Sequence, residues 1–258
     1  MKVVILAGGY GTRLSEETDI RPKPMVEIGG KPILWHIMKI YSSQGFNDFI
    51  VCLGYKGEII KKYFSDLYLQ SSDFTLDTHS GEFTIHDNRR PSWRVSLIDT
   101  GINTLTGGRL LRVKNLINED TFMMSYGDGV SNIELDKLLS FHKTHGRTAT
   151  LTAVRPPARF GILDIKQTGQ VRSFHEKPDG DGTWINGGFF VLNKNVFNYI
   201  GNDEPYFEDY PLQNLSKEGQ LYAYKHNGFW RPMDTMSDKR LLENLWVKGQ
   251  AEWRIWKD

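Results

Sequence analysis

Apolar residues fall into two rhythms along this chain. Short unbroken runs, Val3-Val4-Ile5-Leu6-Ala7 and Phe49-Ile50-Val51-Cys52-Leu53, suit strands covered on both faces. They predict strands from about Lys2 to Ala7 and from Asp48 to Leu53. Two further strands are predicted over Thr121 to Ser125 and over the β-branched stretch Thr148 to Val154. Between these runs the apolar positions recur at helical spacing. Ile33, Leu34, Ile37, Met38 and Tyr41 mark a helix that begins at Pro32, a favoured first-turn residue, and ends near Gly45. Gly57 to Phe64 reads as a short helix with Ile59, Ile60, Tyr63 and Phe64 inward. Glu134 to His145 reads as another, with Leu135, Leu138, Leu139 and Phe141 as its apolar positions. A last helix runs from Ser237 to Val247 on Leu241, Leu242, Leu245 and Trp246, with Gly249 after it. Asp73 to Leu97 shows short alternating runs and no clear helix. From Pro156 to about Leu192, glycines, aromatics and short strands dominate. Strands alternating with helices predict an α/β sheet.

The first strand leads straight into Gly8-Gly9-Tyr10-Gly11-Thr12-Arg13, and Lys23 follows between Pro22 and Pro24. A strand ending in a glycine loop lets backbone N–H groups approach an anion, because glycine has no Cβ and adopts positive φ freely. Arg13 and Lys23 add two positive charges, which together read as a polyphosphate site. It is not a dinucleotide fingerprint, since Leu14 stands where that pattern needs its third glycine. Nor is it the Gly-Lys-Ser/Thr phosphate loop, which the chain lacks. The plainer alternative is a tight strand-to-helix turn with an incidental surface arginine.

Charge and composition narrow the partners. With 32 basic and 31 acidic residues, the chain does not look like a general binder of nucleic acid or of a membrane surface. No apolar stretch is long enough to span a bilayer. The N-terminal apolar run is too short for a signal peptide. The single cysteine, Cys52, sits in a strand-like run, cannot form an internal disulfide and fits a reducing cytoplasm. These features predict a soluble, cytoplasmic protein. The run of elements suggests a mainly nucleotide-binding half over 1–154, a mainly substrate-binding half over 155–235 and a C-terminal helix and tail over 236–258, all within one domain.

Asp128, between Gly127 and Gly129, stands at the carboxyl end of a predicted strand, the edge where ligands gather in open α/β sheets. A carboxylate there can hold Mg²⁺ together with substrate phosphates and water, although an Asp-Gly turn is also an ordinary loop. Asp234, in Phe229-Trp230-Arg231-Pro232-Met233-Asp234-Thr235, offers a second carboxylate or a helix N-terminal acid. Sequence spacing alone does not show that the two meet. In His175-Glu176-Lys177-Pro178 an extended backbone would send Glu176 and Lys177 to opposite sides. The glutamate could accept hydrogen bonds from sugar hydroxyls and the lysine hold a monophosphate. Asn186-Gly187-Gly188 and Arg159-Phe160-Gly161 are two more places where backbone could approach a ligand. The seven histidines show no zinc spacing and suit core or surface roles. Trp246, Trp253 and Trp256 suit packing or subunit contact.

Leu6-Ala7-Gly8-Gly9 through Thr12-Arg13-Leu14, then Lys23-Pro24, Gly127-Asp128-Gly129, Phe160-Gly161, Glu176-Lys177-Pro178 and Asn186-Gly187-Gly188 resemble, in order, the signature of the sugar nucleotidylyltransferases. The resemblance spans nearly the whole chain. It implies a Rossmann-like three-layer sandwich with a mixed central sheet, plus a smaller sugar-binding β-rich region and the C-terminal helix. It also implies direct in-line attack of a sugar 1-phosphate on the α-phosphorus of a nucleoside triphosphate, with pyrophosphate leaving. The implied triphosphate cradle is Leu6, Ala7, Gly8, Gly9, Tyr10, Gly11, Thr12 and Arg13, with Gly127 beside it. Arg13 would stabilise the leaving pyrophosphate and Lys23 would lie by the α-phosphate. Asp128 and Asp234 would hold Mg²⁺. Gly161, Glu176, Lys177 and Asn186 would form the sugar-phosphate site. The base loop of thymidylyl and uridylyl members is absent. Asn103-Thr104-Leu105-Thr106-Gly107-Gly108-Arg109 stands in its place, with Thr104 and Arg109 as donors for cytosine O2 or N3. The resemblance therefore favours CTP and glucose 1-phosphate as substrates, in a homo-oligomer serving deoxysugar and O-antigen synthesis. The alternatives are another nucleotide or sugar, or a catalytically silent nucleotide-sensing subunit.

Overall fold

A computed structural model describes residues 1–86, 91–156, 162–175, 183–201 and 205–257. The apolar runs form the middle of one eight-stranded sheet. Lys2–Leu6 lies at its centre, parallel to Asp48–Leu53 on one side and to Thr121–Tyr126 on the other. Arg94–Asp99 continues the parallel order beyond Asp48–Leu53. Beyond Thr121–Tyr126 the sheet turns mixed: Phe190–Asn193 pairs antiparallel with it and with Ala149–Val154. Ile185–Asn186 (antiparallel) and Leu221–Lys225 (parallel) also pair with Ala149–Val154.

Side chains alternate across a strand, so the central strand feeds two cores. Val3 and Ile5 join a layer with Leu34, Ile37, Met38, Tyr41, Phe49 and Val51. Val4 and Leu6 join the opposite layer with Ile50, Cys52, Leu110, Phe122, Met124 and Phe190. This makes the three-layer sandwich expected from the sequence. The helix predicted from Pro32 runs over Ile33–Ser42, with Pro32 at its N-cap and all five expected apolar residues buried.

Two helices differ from their expected form. The helix beginning at Gly57 extends to Gln70. The less periodic region holds a short hairpin, Phe74–Leu76 with Phe83–Ile85, before the Arg94–Asp99 edge strand. In the last helix, Met236–Val247, Leu242 is fully buried but Leu241 is 37% exposed. Leu241 falls on the edge of the helix face that packs against the core.

The tryptophans pack, as one of their two expected roles required. Trp253 and Trp256 are buried against His36, whose ring also lies edge-on to Trp35 and Trp246. His36 Nδ1 accepts from Trp253 Nε1–H at 3.3 Å, which fixes Nε2–H as the donor to the Ile28 carbonyl at 2.8 Å. Burial depresses its pKa to about 4, so it is a neutral core residue.

Candidate active site

The parallel strands end on one edge of the sheet, and the loops leaving them enclose a cavity of about 420 Å³. Leu6, Ala7, Gly8, Gly9, Tyr10, Gly11, Thr12, Arg13, Lys23, Thr104, Arg109, Gly127 and Asp128 all line it. Leu6 and Gly127 thus share one wall because Lys2–Leu6 and Thr121–Tyr126 are neighbours in the sheet. Gly11 takes φ +67°, which swings the loop back toward Lys23. Gly8 has no room for a side chain, since a Cβ there would fall 2.2 Å from Arg109 Nη1.

The question left open by spacing, whether Asp128 and Asp234 meet, is answered by a two-stranded ribbon. Gly129–Ser131 pairs antiparallel with Trp230–Pro232, and Met233 N–H donates to the Asp128 carbonyl at 2.8 Å. Asp234 is therefore delivered beside Asp128. It is not a helix cap: Thr235 caps the last helix in a reciprocal box with Asp238. Asp238 also accepts from Asp234 N–H at 3.1 Å, holding that backbone in place.

Between the two carboxylates lies the buried ammonium of Lys23, 2.6 Å from Asp128 Oδ2 and 2.5 Å from Asp234 Oδ1. Burial works against its charge, but Asp128 and then Asp234 outweigh that and raise its pKa above the usual value. Arg13 Nη1 lies 3.0 Å from Asp234 Oδ2 with its side chain largely in solvent. Two cations and two anions alternate along the floor and mouth of the cavity. Two carboxylate oxygens converging on one positive centre also fit a divalent cation, which would take one or two carboxylates and complete its shell with water and phosphate. Among the described residues no cluster of three or more His, Cys, Asp and Glu could hold a metal unaided.

Arg109 lines the cavity but is committed elsewhere. Its guanidinium donates to the carbonyls of Leu53, Gly8, Gly101 and Ile102 and to the Thr100 hydroxyl, at 2.7 to 3.3 Å. It ties three strand-end loops together, and contacting a base would cost some of those bonds. Thr104 lies on the same wall without such a claim on the fold. Tyr10 Oη donates to Asn103 Oδ1 at 2.7 Å, joining the glycine loop to the 102–105 loop. Asn186 reaches the cavity wall by donating to Tyr126 Oη at 3.1 Å. Gly161, Glu176 and Lys177 lie outside the described residues. Sequence reasoning missed Tyr126, Tyr206, Thr106 and Glu208. Tyr126 precedes Gly127-Asp128 directly, which could have marked it. Glu208 sits in an aromatic loop with no local signal.

The profile of the nucleotidyl transferase family matches residues 2–243. The chain belongs to the nucleotidyl transferase family. A glucose-1-phosphate cytidylyltransferase of Salmonella typhi is 56% identical over 258 residues, 100% of both chains. The glucose-1-phosphate cytidylyltransferase of Salmonella typhimurium is equally similar, 56% over 258 residues and 100% of both. Among solved structures, HddC from Yersinia pseudotuberculosis superposes with a TM-score of 0.68 at 26% identity, over 95% of this chain and 99% of that one. No helix among the described residues is long and apolar enough to cross a membrane.

Proposed function

We propose that this protein transfers the cytidylyl group of CTP to α-D-glucose 1-phosphate, giving CDP-glucose and pyrophosphate. The observation that carries the reading is the joint one: full-length 56% identity to enzymes named for that reaction, with Arg13, Lys23, Asp128 and Asp234 joined in a single charge network. A silent subunit would have no use for all four.

Among the described residues the site offers no activated nucleophile, and the reaction needs none, because the phosphate oxygen of the sugar attacks the α-phosphorus itself. Rate then comes from positioning and from charge placed against the transition state. The glycine loop binds the triphosphate through backbone N–H groups, and Arg13, exposed at the mouth, meets the charge that builds on departing pyrophosphate. Lys23 supplies a fixed, fully protonated charge beside the reacting phosphates. Asp128 and Asp234 would hold Mg²⁺, which when bound neutralises phosphate charge. Thr104 donates to the cytosine, while Arg109 keeps the wall behind it rigid. Asn186, and by family resemblance Gly161, Glu176 and Lys177, bind the sugar phosphate.

We also read a homo-oligomer. On the Phe74–Leu76 hairpin, Phe74, Leu76 and Phe83 are 40 to 49% exposed on one face. On a second hairpin, Leu163, Ile165, Val171 and Phe174 are 48 to 59% exposed. Apolar faces of this kind mark interaction surfaces. The activity is tested by pyrophosphate release from CTP and glucose 1-phosphate.

A further inference from the structure

Glu208 receives two hydroxyl donors from different parts of the cavity wall. Tyr126 Oη–H donates to its Oε1 at 2.5 Å, and Thr106 Oγ1–H donates to its Oε2 at 2.6 Å. Tyr126 ends the central Thr121–Tyr126 strand. Thr106 opens the helix that follows the 102–105 loop. Both residues line the cavity. On the far side of Tyr126, its oxygen accepts from Asn186 Nδ2–H, and Asn186 Oδ1 accepts from Gly188 N–H at 2.9 Å. On the far side of Thr106, its oxygen accepts from Phe207 N–H at 2.8 Å. Gly107 N–H donates to the Pro205 carbonyl at 3.0 Å, and a Cβ on Gly107 would fall 2.5 Å from that oxygen. The segment carrying Glu208 is pressed against the start of the base-loop helix.

We propose that Glu208 is a positioning residue that couples the sugar side of the cavity to its base side, through the chain Asn186–Tyr126–Glu208–Thr106. This rests on the reading of the two substrates given above.

The argument is one of hydrogen-bond polarity. An ionised carboxylate only accepts, so it fixes the direction of every proton along the chain. Tyr126 must donate to Glu208, and its oxygen is then left to accept from Asn186. Asn186 must present its amide N–H₂ to Tyr126 and its carbonyl to Gly188. A glutamine at 208 breaks this order. It can accept from only one hydroxyl and must offer N–H to the other. If it donates to Tyr126, that hydroxyl turns toward Asn186, which then has to flip and lose Gly188 N–H. If it donates to Thr106, the start of the helix loses its anchor instead. Burial and the Glu208 charge both push the Tyr126 pKa up, so the phenol stays a donor throughout the working range.

The test is kcat and KM for both substrates in Glu208→Gln, Tyr126→Phe and the double variant. A charge-assisted bond is worth enough for Glu208→Gln to raise the KM for glucose 1-phosphate about tenfold. The KM for CTP should rise several-fold as well. Tyr126→Phe should raise the KM for glucose 1-phosphate while leaving that for CTP within about twofold, because the Thr106 bond survives. Since both changes cut one chain, the double variant should be no worse than Glu208→Gln alone. Effects on the two KM values that multiply in the double variant would overturn the inference. So would a Glu208→Gln variant whose KM values stay within about twofold of the wild type. A purely structural role would lower Tm and kcat together without this split. Should Glu208→Gln fail to fold, Thr106→Val serves. It should raise the KM for glucose 1-phosphate from the base side of the cavity, and an unchanged value would overturn the inference. A wild-type protein inactive with both substrates would remove the underlying reading and this inference with it. An active wild type with multiplying losses would remove the inference alone.

Discussion

Replacing Lys23 by methionine keeps the volume of the side chain and deletes the charge between Asp128 and Asp234. Both carboxylate oxygens lie within 2.6 Å of the Lys23 nitrogen, so they are at most about 5 Å from each other. At an effective dielectric of 20, two like charges at that distance repel by about 3 kcal/mol. Asp128 is about a third exposed and Arg13 still faces Asp234, which reduces the loss to about 2 kcal/mol. In a chain of this size that lowers Tm by about 4–8 °C. The variant pair is also a freer metal site, because no ammonium competes for it. Mg²⁺ alone, at about 100 times its Kd, should therefore return about 2.7 kcal/mol of stability to the variant. It should do much less for the wild type. Thermal unfolding followed by tryptophan fluorescence, with and without Mg²⁺, reads both effects. A Lys23→Met protein as stable as the wild type, or one that Mg²⁺ leaves untouched, would refute the reasoning.

Other outcomes follow from the same geometry. Asp128→Asn should fold and bind CTP yet turn over at least about 10²-fold more slowly with Mg²⁺; a near wild-type rate would remove the metal role. Arg13→Ala should lower kcat by about 10²–10³, as expected for losing one transition-state donor, with Tm hardly moved because Arg13 is mostly exposed; an unchanged kcat would sink that assignment. Stability should fall as pH drops from about 6.5 toward 4. His36, with a pKa near 4 in the fold and 6.5 outside it, makes the unfolded chain bind more protons across that window, worth about 3 kcal/mol in all. Tm measured between pH 7.5 and 4.5 should show the decline and His36→Gln should make it shallower, with His142, whose pKa burial also lowers to about 4, carrying part of the remainder, whereas a flat wild-type profile would contradict the assignment. Sedimentation velocity should find an oligomer that Phe74→Glu or Phe174→Glu weakens, and a monomeric wild type would remove that reading.

The sheet core was legible because strands buried on both faces leave unbroken apolar runs, as at Val3 to Ala7 and Phe49 to Leu53. The helix from Ile33 was legible because Ile33, Leu34, Ile37, Met38 and Tyr41 keep one face apolar. The glycine loop with Arg13 and Lys23 could be read from composition and order alone. What could not be read was set by pairing at a distance. The meeting of Asp128 with Asp234 depends on the ribbon between Gly129–Ser131 and Trp230–Pro232, which no local pattern announces. The commitment of Arg109 to four carbonyls depends on three loops converging from separate strands. Glu208 acts through hydroxyls 82 and 102 positions away, so nothing near it in the chain marks it. The Gly57–Gln70 helix runs past its expected end because nothing after Phe64 breaks it: Asp66 pairs with Lys62 one turn back, and no glycine or proline intervenes before Gln70.

Pyrophosphate release from glucose 1-phosphate and Mg²⁺, measured with CTP, UTP, dTTP, GTP and ATP in parallel, decides whether the protein is a cytidylyltransferase. Release with CTP far above the other four is the predicted result. Release with another nucleotide would contradict the base assignment while keeping the chemistry, and no release with any of them would contradict the cytidylyltransferase activity itself.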